Sequence, residues 1–139
     1  MTRAILLLGC LLLASCQTPR TDAGISPDAV GMVFPRMKEG AAIALTTRLG
    51  GTLVRDGSSL RVRDGGGTVV VVWPFTAALD REGGRLAVRN RITGDIVRVG
   101  RRIVVTGSPV ADCAALALDP PGAPACAGPA FVAGDFRHD

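Results

Sequence analysis

The four cysteines have the widest range of possible chemistry in this chain, and they fall into two pairs. Cys10 and Cys16 lie within and directly after an apolar N-terminal run, whereas Cys113 and Cys126 lie about a dozen residues apart near the C-terminus. A pair at the second spacing can form a structural disulfide, act as a redox couple or contribute to a metal site. A redox couple normally has the closer Cys-x-x-Cys spacing, and a metal site needs more ligands than two thiols. The sequence therefore favours a disulfide between Cys113 and Cys126.

Few other side chains offer catalytic chemistry. A nucleophilic triad needs a general base, usually histidine, and the only histidine, His138, is the penultimate residue. Asp56, Asp64 and Asp95 fall in predicted turns, where aspartate commonly bonds to its own backbone. The glycine run 65–67 lacks the lysine and the helix of a phosphate-binding loop. The sequence predicts that the protein is not an enzyme and uses no cofactor or metal.

The N-terminal segment has the layout of a secretory signal. Arg3 precedes an unbroken apolar run from Ala4 to Ala14, and a small residue, Ser15, follows the run. This order of positive charge, apolar core and small residue is typical of an export signal. A helix that spans a bilayer needs about 20 apolar residues, so the run is too short for a retained transmembrane helix.

Residues Leu13-Ala14-Ser15-Cys16 resemble the lipobox of bacterial lipoproteins at all four positions. The resemblance implies that the Cys16 thiol receives a diacylglyceryl group, that the chain is cut before Cys16, and that the new amino terminus is acylated. Two or three acyl chains hold a protein firmly on a membrane, because each buried methylene contributes about 0.8 kcal/mol. Gln17, in place of the aspartate that retains lipoproteins at the inner membrane, favours the outer membrane facing the periplasm. The alternative is an ordinary secretory signal with Cys16 as a structural cysteine.

Composition divides the chain into a signal peptide at 1–15, a flexible tether at 16–40 and one small domain at 41–139. The tether is rich in Pro, Gly, Ser, Thr and Asp and shows neither helical nor strand periodicity. The formal net charge is +4, and arginine supplies all the basic residues except Lys38. Codon bias in a GC-rich bacterial genome explains this excess of arginine as well as a binding role does.

The pattern of the domain indicates short strands separated by glycine turns. It favours an all-β fold, either a small antiparallel barrel (OB-like) or a sandwich. Aliphatic and arginine side chains alternate in two segments, so one face of each should be exposed, while the apolar run Val69–Trp73 predicts a strand covered on both faces. The predicted strands are Ile43–Arg48, Thr52–Arg55, Leu60–Arg63, Thr68–Trp73, Arg85–Asn90, Ile96–Val99 and Arg102–Thr106, with a last strand at Ala130–Ala133.

Two connections in this pattern are predicted from local composition. Gly50-Gly51 is a predicted turn between the first two strands. The segment Thr76–Glu82 is predicted to form a single helical turn, with Thr76 as its N-terminal cap.

Five short motifs of the domain resemble those of an uncharacterised family of bacterial envelope proteins. They are Gly51-Thr-Leu-Val, Leu60-Arg-Val-Arg, Val70-Val-Val-Trp-Pro74, Val97-Arg-Val-Gly100 and Gly128-Pro-Ala-Phe-Val132. The resemblance extends from Leu49 to Phe136 and implies an OB-like barrel. It implies no particular activity.

Arginines of the later strands are the candidate binding residues. Guanidinium groups bind phosphate and carboxylate groups, so a cluster on one barrel face would attract an envelope polymer or anionic lipid. The alternative, which is favoured, is a solvated strand face. Trp73 and Phe75 are either the floor of a ligand site or core residues, and the core interpretation is favoured for them. The candidate set is Arg85, Arg89, Arg91, Arg98, Arg101 and Arg102, and Arg61 and Arg63 are the nearest residues that would join it.

Together these features predict a lipid-anchored envelope protein with a non-catalytic binding or structural β-domain. The alternative is an anion or small-molecule sensor that uses the arginine-rich strand face. The expected partners are the membrane, through the lipid anchor, and an envelope polymer or anionic lipid. Nucleic acid is not an expected partner, because the chain is exported and has few aromatic side chains for base stacking.

The anchor is tested by the intact mass of the protein extracted from membranes. We expect the mass of the chain from Cys16 plus two or three acyl groups, since both the thiol and the new amino terminus are acylated. The Cys16→Ser variant should lose the acyl mass, and Cys10→Ser, which leaves the lipobox intact, is the matched control. A wild-type chain recovered without acyl mass would contradict the prediction.

Overall fold

Short strands and tight glycine turns account for most of the structure. The computed structural model describes residues 31–119, 126 and 128–139. A 3-10 helix spans Cys113–Ala115. The strands, numbered along the chain, are β1 (Arg36–Met37), β2 (Thr47–Asp56), β3 (Ser59–Asp64), β4 (Gly67–Val72), β5 (Ala77–Glu82), β6 (Arg85–Asn90), β7 (Ile96–Arg98), β8 (Arg102–Val110), β9 (Leu118–Asp119) and β10 (Ala130–His138).

Five of these strands form a closed barrel in the order β10-β4-β3-β2-β8, with β8 paired back onto β10. Neighbouring strands are antiparallel except β4 and β10, which run parallel where Phe131 and Val132 pair with Val71 and Val72. Counted along the chain, the barrel strands close in the order 1-2-3-5-4-1, which is the strand order of the OB fold. The predicted all-β fold is confirmed, and it takes the form of a barrel.

Alternation along the barrel strands separates an interior core from an outer surface, because successive strand residues point to opposite faces. Leu53, Val62 and Ile103 are fully buried or nearly so and belong to the interior core. The predicted covering of Val69–Trp73 on both faces is confirmed. Its interior side chains join this core, whereas Val72 belongs to a second cluster formed with outward residues of β10 and the segment after β8.

Strands β5, β6 and β7 form a separate antiparallel sheet inserted between barrel strands β4 and β8. Its apolar face, which carries Leu86, Val88 and Val97, packs into the same core as the barrel interior. Asn90 at the end of β6 donates a hydrogen bond to the carboxylate of Asp135 on β10, at 3.0 Å. The inserted sheet is therefore joined to the barrel by both apolar packing and a polar contact.

The helical turn predicted at Thr76–Glu82 is wrong, because Ala77–Glu82 is strand β5 and pairs with β6 along its whole length. The turn Gly83-Gly84 connects the two strands, and both glycines have positive φ, 57° and 77°. Two consecutive residues with positive φ are typical of a tight hairpin turn. Thr76 does not cap a helix; its carbonyl accepts a hydrogen bond from the backbone N–H of Arg91, at 3.0 Å.

The predicted turn at Gly50-Gly51 is also wrong, because β2 runs through both glycines. Neither glycine has positive φ. A side chain on Gly51 would collide with β3, since a Cβ there would lie 2.3 Å from the carbonyl oxygen of Arg63. Gly51 is therefore required by the close approach of two strands and does not form a turn.

The described residues that precede position 41 belong to the folded domain, although the sequence placed them in the tether. The backbone N–H of Val33 donates to the carbonyl of Ser58 at 2.6 Å. Phe34 stacks on Trp73 with ring centroids 5.5 Å apart, and Phe136 packs edge-on against Trp73 at 5.4 Å. The aromatic contacts bury Trp73 completely, which confirms the core interpretation of this residue.

The predicted disulfide between Cys113 and Cys126 is present, with Cα atoms 5.5 Å apart. Cys113 begins the 3-10 helix that follows β8, and Cys126 precedes β10. The described part of this connection also contains β9, which pairs with β1. An ion pair of Arg36 with Asp119, at 3.1 Å, lies at the same place.

The adjacent glycines of β2 provide a matched test of this packing. Gly51→Ala places a methyl group against the β3 backbone, and overpacking of this kind typically costs about 1–3 kcal/mol. Gly50→Ala is the control, because a Cβ at Gly50 meets nothing within 4 Å. We expect urea unfolding to show a clear loss of stability for Gly51→Ala and little change for Gly50→Ala. Equal stability of the two variants would contradict the register of β2 and β3.

Candidate functional site

The predicted arginine set is divided among different elements of the structure. Three members share one face of the inserted sheet, because they lie at alternating or directly paired positions of two neighbouring strands. These three are Arg85 and Arg89 on β6 and Arg98 on β7. The others are Arg91 and Arg101, which follow β6 and β7, and Arg102 on barrel strand β8. The set therefore does not occupy one barrel face.

Two carboxylates lie among the three arginines of the inserted sheet. Asp80 on β5 accepts a hydrogen bond from Arg89, and Glu82 forms an ion pair with Arg98 at 3.2 Å. Burial alone would raise the pKa of Asp80. Hydrogen bonds from Arg89 and from the backbone N–H of Arg81, together with the positive charge of Arg89, lower this pKa by more than burial raises it. The net result is a pKa below the ordinary value of 3.8. Among the described residues, Arg85 alone of the three has no carboxylate partner.

The three separate arginines differ in their surroundings. Arg102 forms an ion pair with Asp139 at 2.8 Å. Arg91 and Arg101 are exposed, and within the described part of the chain no side-chain hydrogen bond or ion pair engages either of them. An anion would therefore meet these residues as isolated charges on the surface.

A cleft of about 700 Å³ opens in the barrel wall, at the end where β4 and β10 separate. Its walls come from all five barrel strands and from the residue before β10. Some of the lining residues belong to the interior core and others to the second cluster, so the cleft lies between the two. The lining residues are Leu49, Arg61, Thr68, Val69, Val70, Pro109, Val110, Pro129, Ala130 and Phe131.

Arg61 and Thr68 are the polar side chains of a lining that is otherwise aliphatic, proline and aromatic. Arg61 donates to the hydroxyl of Ser59 at 3.4 Å and lies 3.3 Å from the carboxylate of Asp56. Both of these contacts use its Nε. A guanidinium carries five N–H donors, so Arg61 keeps donors for a ligand.

The disulfide segment supports one wall of the cleft. The backbone N–H of Cys113 donates to the carbonyl of Gly128 at 3.1 Å, and the carboxylate of Asp112 accepts from the N–H of Gly128 at 3.3 Å. Gly128 has a φ of 78°, a conformation that glycine adopts without strain. The next residue is Pro129, which lines the cleft. These contacts fix the chain where it enters β10.

The remaining candidate residues that the structure describes lie apart from the cleft lining. Cys16 falls outside the described residues. Phe75 is 44% exposed, so the core interpretation is wrong for this residue. His138 is exposed at the end of β10. The described residues contain no group of three or more His, Cys, Asp or Glu side chains placed to hold a metal ion. They also contain no helix that is long and apolar enough to span a membrane.

The cleft was not predicted from the sequence. No protein-family model, curated protein or solved structure matches this chain. In the sequence, the valines that line the cleft look like ordinary core residues, and Arg61 looks like a solvated strand residue. The available signal is the pair Pro109 and Pro129, since proline lacks the N–H that continues a strand ladder. Pro109, the next-to-last residue of β8, and Pro129, which directly precedes β10, indicate that the sheet opens near them.

Loss of the disulfide should destabilise this part of the barrel. A cross-link that closes a loop of this length contributes about 3 kcal/mol in the chain-entropy account. We therefore expect Cys113→Ser/Cys126→Ser to unfold at a lower denaturant concentration than the oxidised wild type. Dithiothreitol should lower the midpoint of the wild type and leave that of the double variant unchanged. Equal midpoints of the oxidised wild type and the double variant would contradict a stabilising role.

Proposed function

We propose that this chain is a lipid-anchored protein of the bacterial envelope whose barrel binds an amphiphilic ligand in the wall cleft, without catalysis. The observation that carries the proposal is the lining, in which Arg61 is the one charged residue among mostly aliphatic, proline and aromatic side chains. Such a site suits a molecule with an apolar body and an anionic head. Acyl-chain lipids with a carboxylate or phosphate head have this chemistry.

The dimensions of the cleft support binding of a small molecule. Its volume of about 700 Å³ lies within the range of about 300–1,000 Å³ for ligand sites. Apolar contact supplies most of the affinity, because burial contributes about 25 cal/mol per Å² of apolar surface. Arg61 orients the ligand, since a hydrogen bond to a charged group contributes about 1.5–3 kcal/mol.

The N-terminal motif supports the proposed location. A lipobox that ends at Cys16 directs a protein to the membrane surface, and Gln17 directs it towards the outer membrane. A barrel held there by its own acyl chains has access to amphiphiles of the same membrane. The described N-terminal residues pack on the barrel near Ser58, and the first of them, Gly31, follows Cys16 by about fifteen residues in the sequence.

Energy transfer from tryptophan to a polyene fatty acid tests the proposed ligand class. The test protein begins at position 16 and carries Cys16→Ser, which keeps every described residue and removes the anchor. Trp73 is the only tryptophan, so it is the single donor to bound parinaric acid. Arg61→Gln should raise the Kd about tenfold, since tenfold corresponds to about 1.4 kcal/mol. Thr68→Phe should also weaken binding, because it fills the cleft.

Two variants away from the cleft lining are the controls for this test. Arg55→Gln removes the same charge from the neighbouring strand β2, and Ser58→Phe adds the same bulk in the β2–β3 turn. Neither residue lines the cleft, so both variants should keep the wild-type Kd. The proposal is abandoned if the wild type shows no saturable energy transfer, or if the cleft variants and the controls have equal Kd values.

A further inference from the structure

The cross-strand register of the barrel places two arginines on either side of one threonine. Thr52 on β2 pairs with Arg63 on β3 and also with Arg102 on β8. Directly paired residues point to the same face of a sheet, and neighbouring strands are about 4.8 Å apart. The backbones of the two arginines are therefore about 10 Å apart on the outer surface, with Thr52 between them.

The next positions on the same face add two more arginines. Gly50, two residues before Thr52 on β2, pairs with Val104 on β8, and Val104 pairs with Arg137 on β10. Two residues earlier again, Arg48 pairs with Thr106 on β8. We call this surface the arginine strip, and it consists of Arg48, Arg63, Arg102 and Arg137 around Gly50.

The residues between these arginines leave the strip open. A Cβ at Gly50 would meet nothing within 4 Å. The other intervening residues, Thr52, Val104 and Thr106, are small. A chain-like ligand can therefore lie directly against the backbone of β2 and contact arginines on both sides.

The strip has a net positive charge. All four arginines are exposed, and within the described residues no hydrogen bond or ion pair engages the side chains of Arg48, Arg63 or Arg137. Arg102 pairs with Asp139 at 2.8 Å. Asp135 pairs with Thr106 on the same face and accepts a hydrogen bond from the uncharged Asn90, so it adds a second acidic side chain beside the four arginines. The surface is therefore basic, in contrast to the inserted sheet, where carboxylates pair with two of three arginines.

We propose that the arginine strip binds a linear anionic polysaccharide through its carboxylate or phosphate groups. This open surface suits a polymer better than a small anion, because separate arginines can contact successive charges of a chain and nothing encloses a single anion. It suits a polymer better than a bilayer, because the residues between the arginines include no large apolar side chain to insert. This proposal does not depend on whether the cleft binds a ligand.

Fluorescence anisotropy with labelled polygalacturonate tests the strip on the full chain in a non-ionic detergent. Arg63→Gln/Arg137→Gln should weaken binding about tenfold, as expected for loss of charge-assisted hydrogen bonds. The matched control is Arg85→Gln/Arg91→Gln, which removes the same charge from exposed residues elsewhere and should leave the Kd nearly unchanged. Gly50→Leu should weaken binding without any change of charge, because its side chain occupies the open centre of the strip. Unchanged unfolding midpoints confirm that the variants are folded.

Each remaining outcome of this experiment overturns the proposal. Equal weakening of polygalacturonate binding by the two double variants means that the polymer is attracted to any exposed positive charge of the protein. Absence of polygalacturonate binding, or equal binding of neutral dextran, removes the anionic polymer as the ligand. Tighter binding to vesicles of phosphatidylglycerol than to polygalacturonate, lost in Arg63→Gln/Arg137→Gln, assigns the strip to a membrane surface.

Discussion

The barrel closes because β8 and β10 approach more closely at Gly107 than any side chain would allow. A Cβ at Gly107 would lie 1.9 Å from the carbonyl oxygen of Val132. With β10 held there, its first residues run parallel to β4, where Phe131 pairs with Val71. The outward side chains of these two strands then form the second core cluster, against which the disulfide segment packs. The cleft begins where β4 and β10 part, so its position follows from the same closure.

Local sequence patterns are enough to predict most strands of this fold, because alternation of side chains acts within a single segment. Leu60–Arg63 and Arg85–Asn90 are predicted and found in this way. The predictions fail where one composition fits two structures. Gly50-Gly51 has the composition of a turn, yet Gly51 permits a close contact with β3. The segment Thr76–Glu82 fits a helical turn, yet its pairing with β6 makes it a strand. The sequence of the segment alone does not indicate this pairing.

The arrangement of the charged side chains on the surface could not be predicted from local patterns either. Asp80 and Glu82 belong to the segment that was predicted as a helical turn, so their contacts with arginines of the inserted sheet could not be predicted. The outward position of Arg137 could not be predicted for a different reason. A bulge in β10 after Ala133 shifts the pairing with β8, and such a shift reverses which side chains face outward. The disulfide between Cys113 and Cys126 was predictable because these are the two cysteines that follow the predicted signal, and pairing them requires no knowledge of the register.

Strand β3 connects the cleft with the arginine strip, since Arg61 and Arg63 are two residues apart on its outward face. This spacing corresponds to about 7 Å along a strand. Exposed charges are screened over about 8 Å at physiological ionic strength, so salt weakens contacts at Arg63 more than apolar contacts in the cleft. Anionic groups bound at the two arginines would repel each other at this distance. Binding on either surface would then lower the affinity of the other by the same factor, because coupling between two sites is reciprocal.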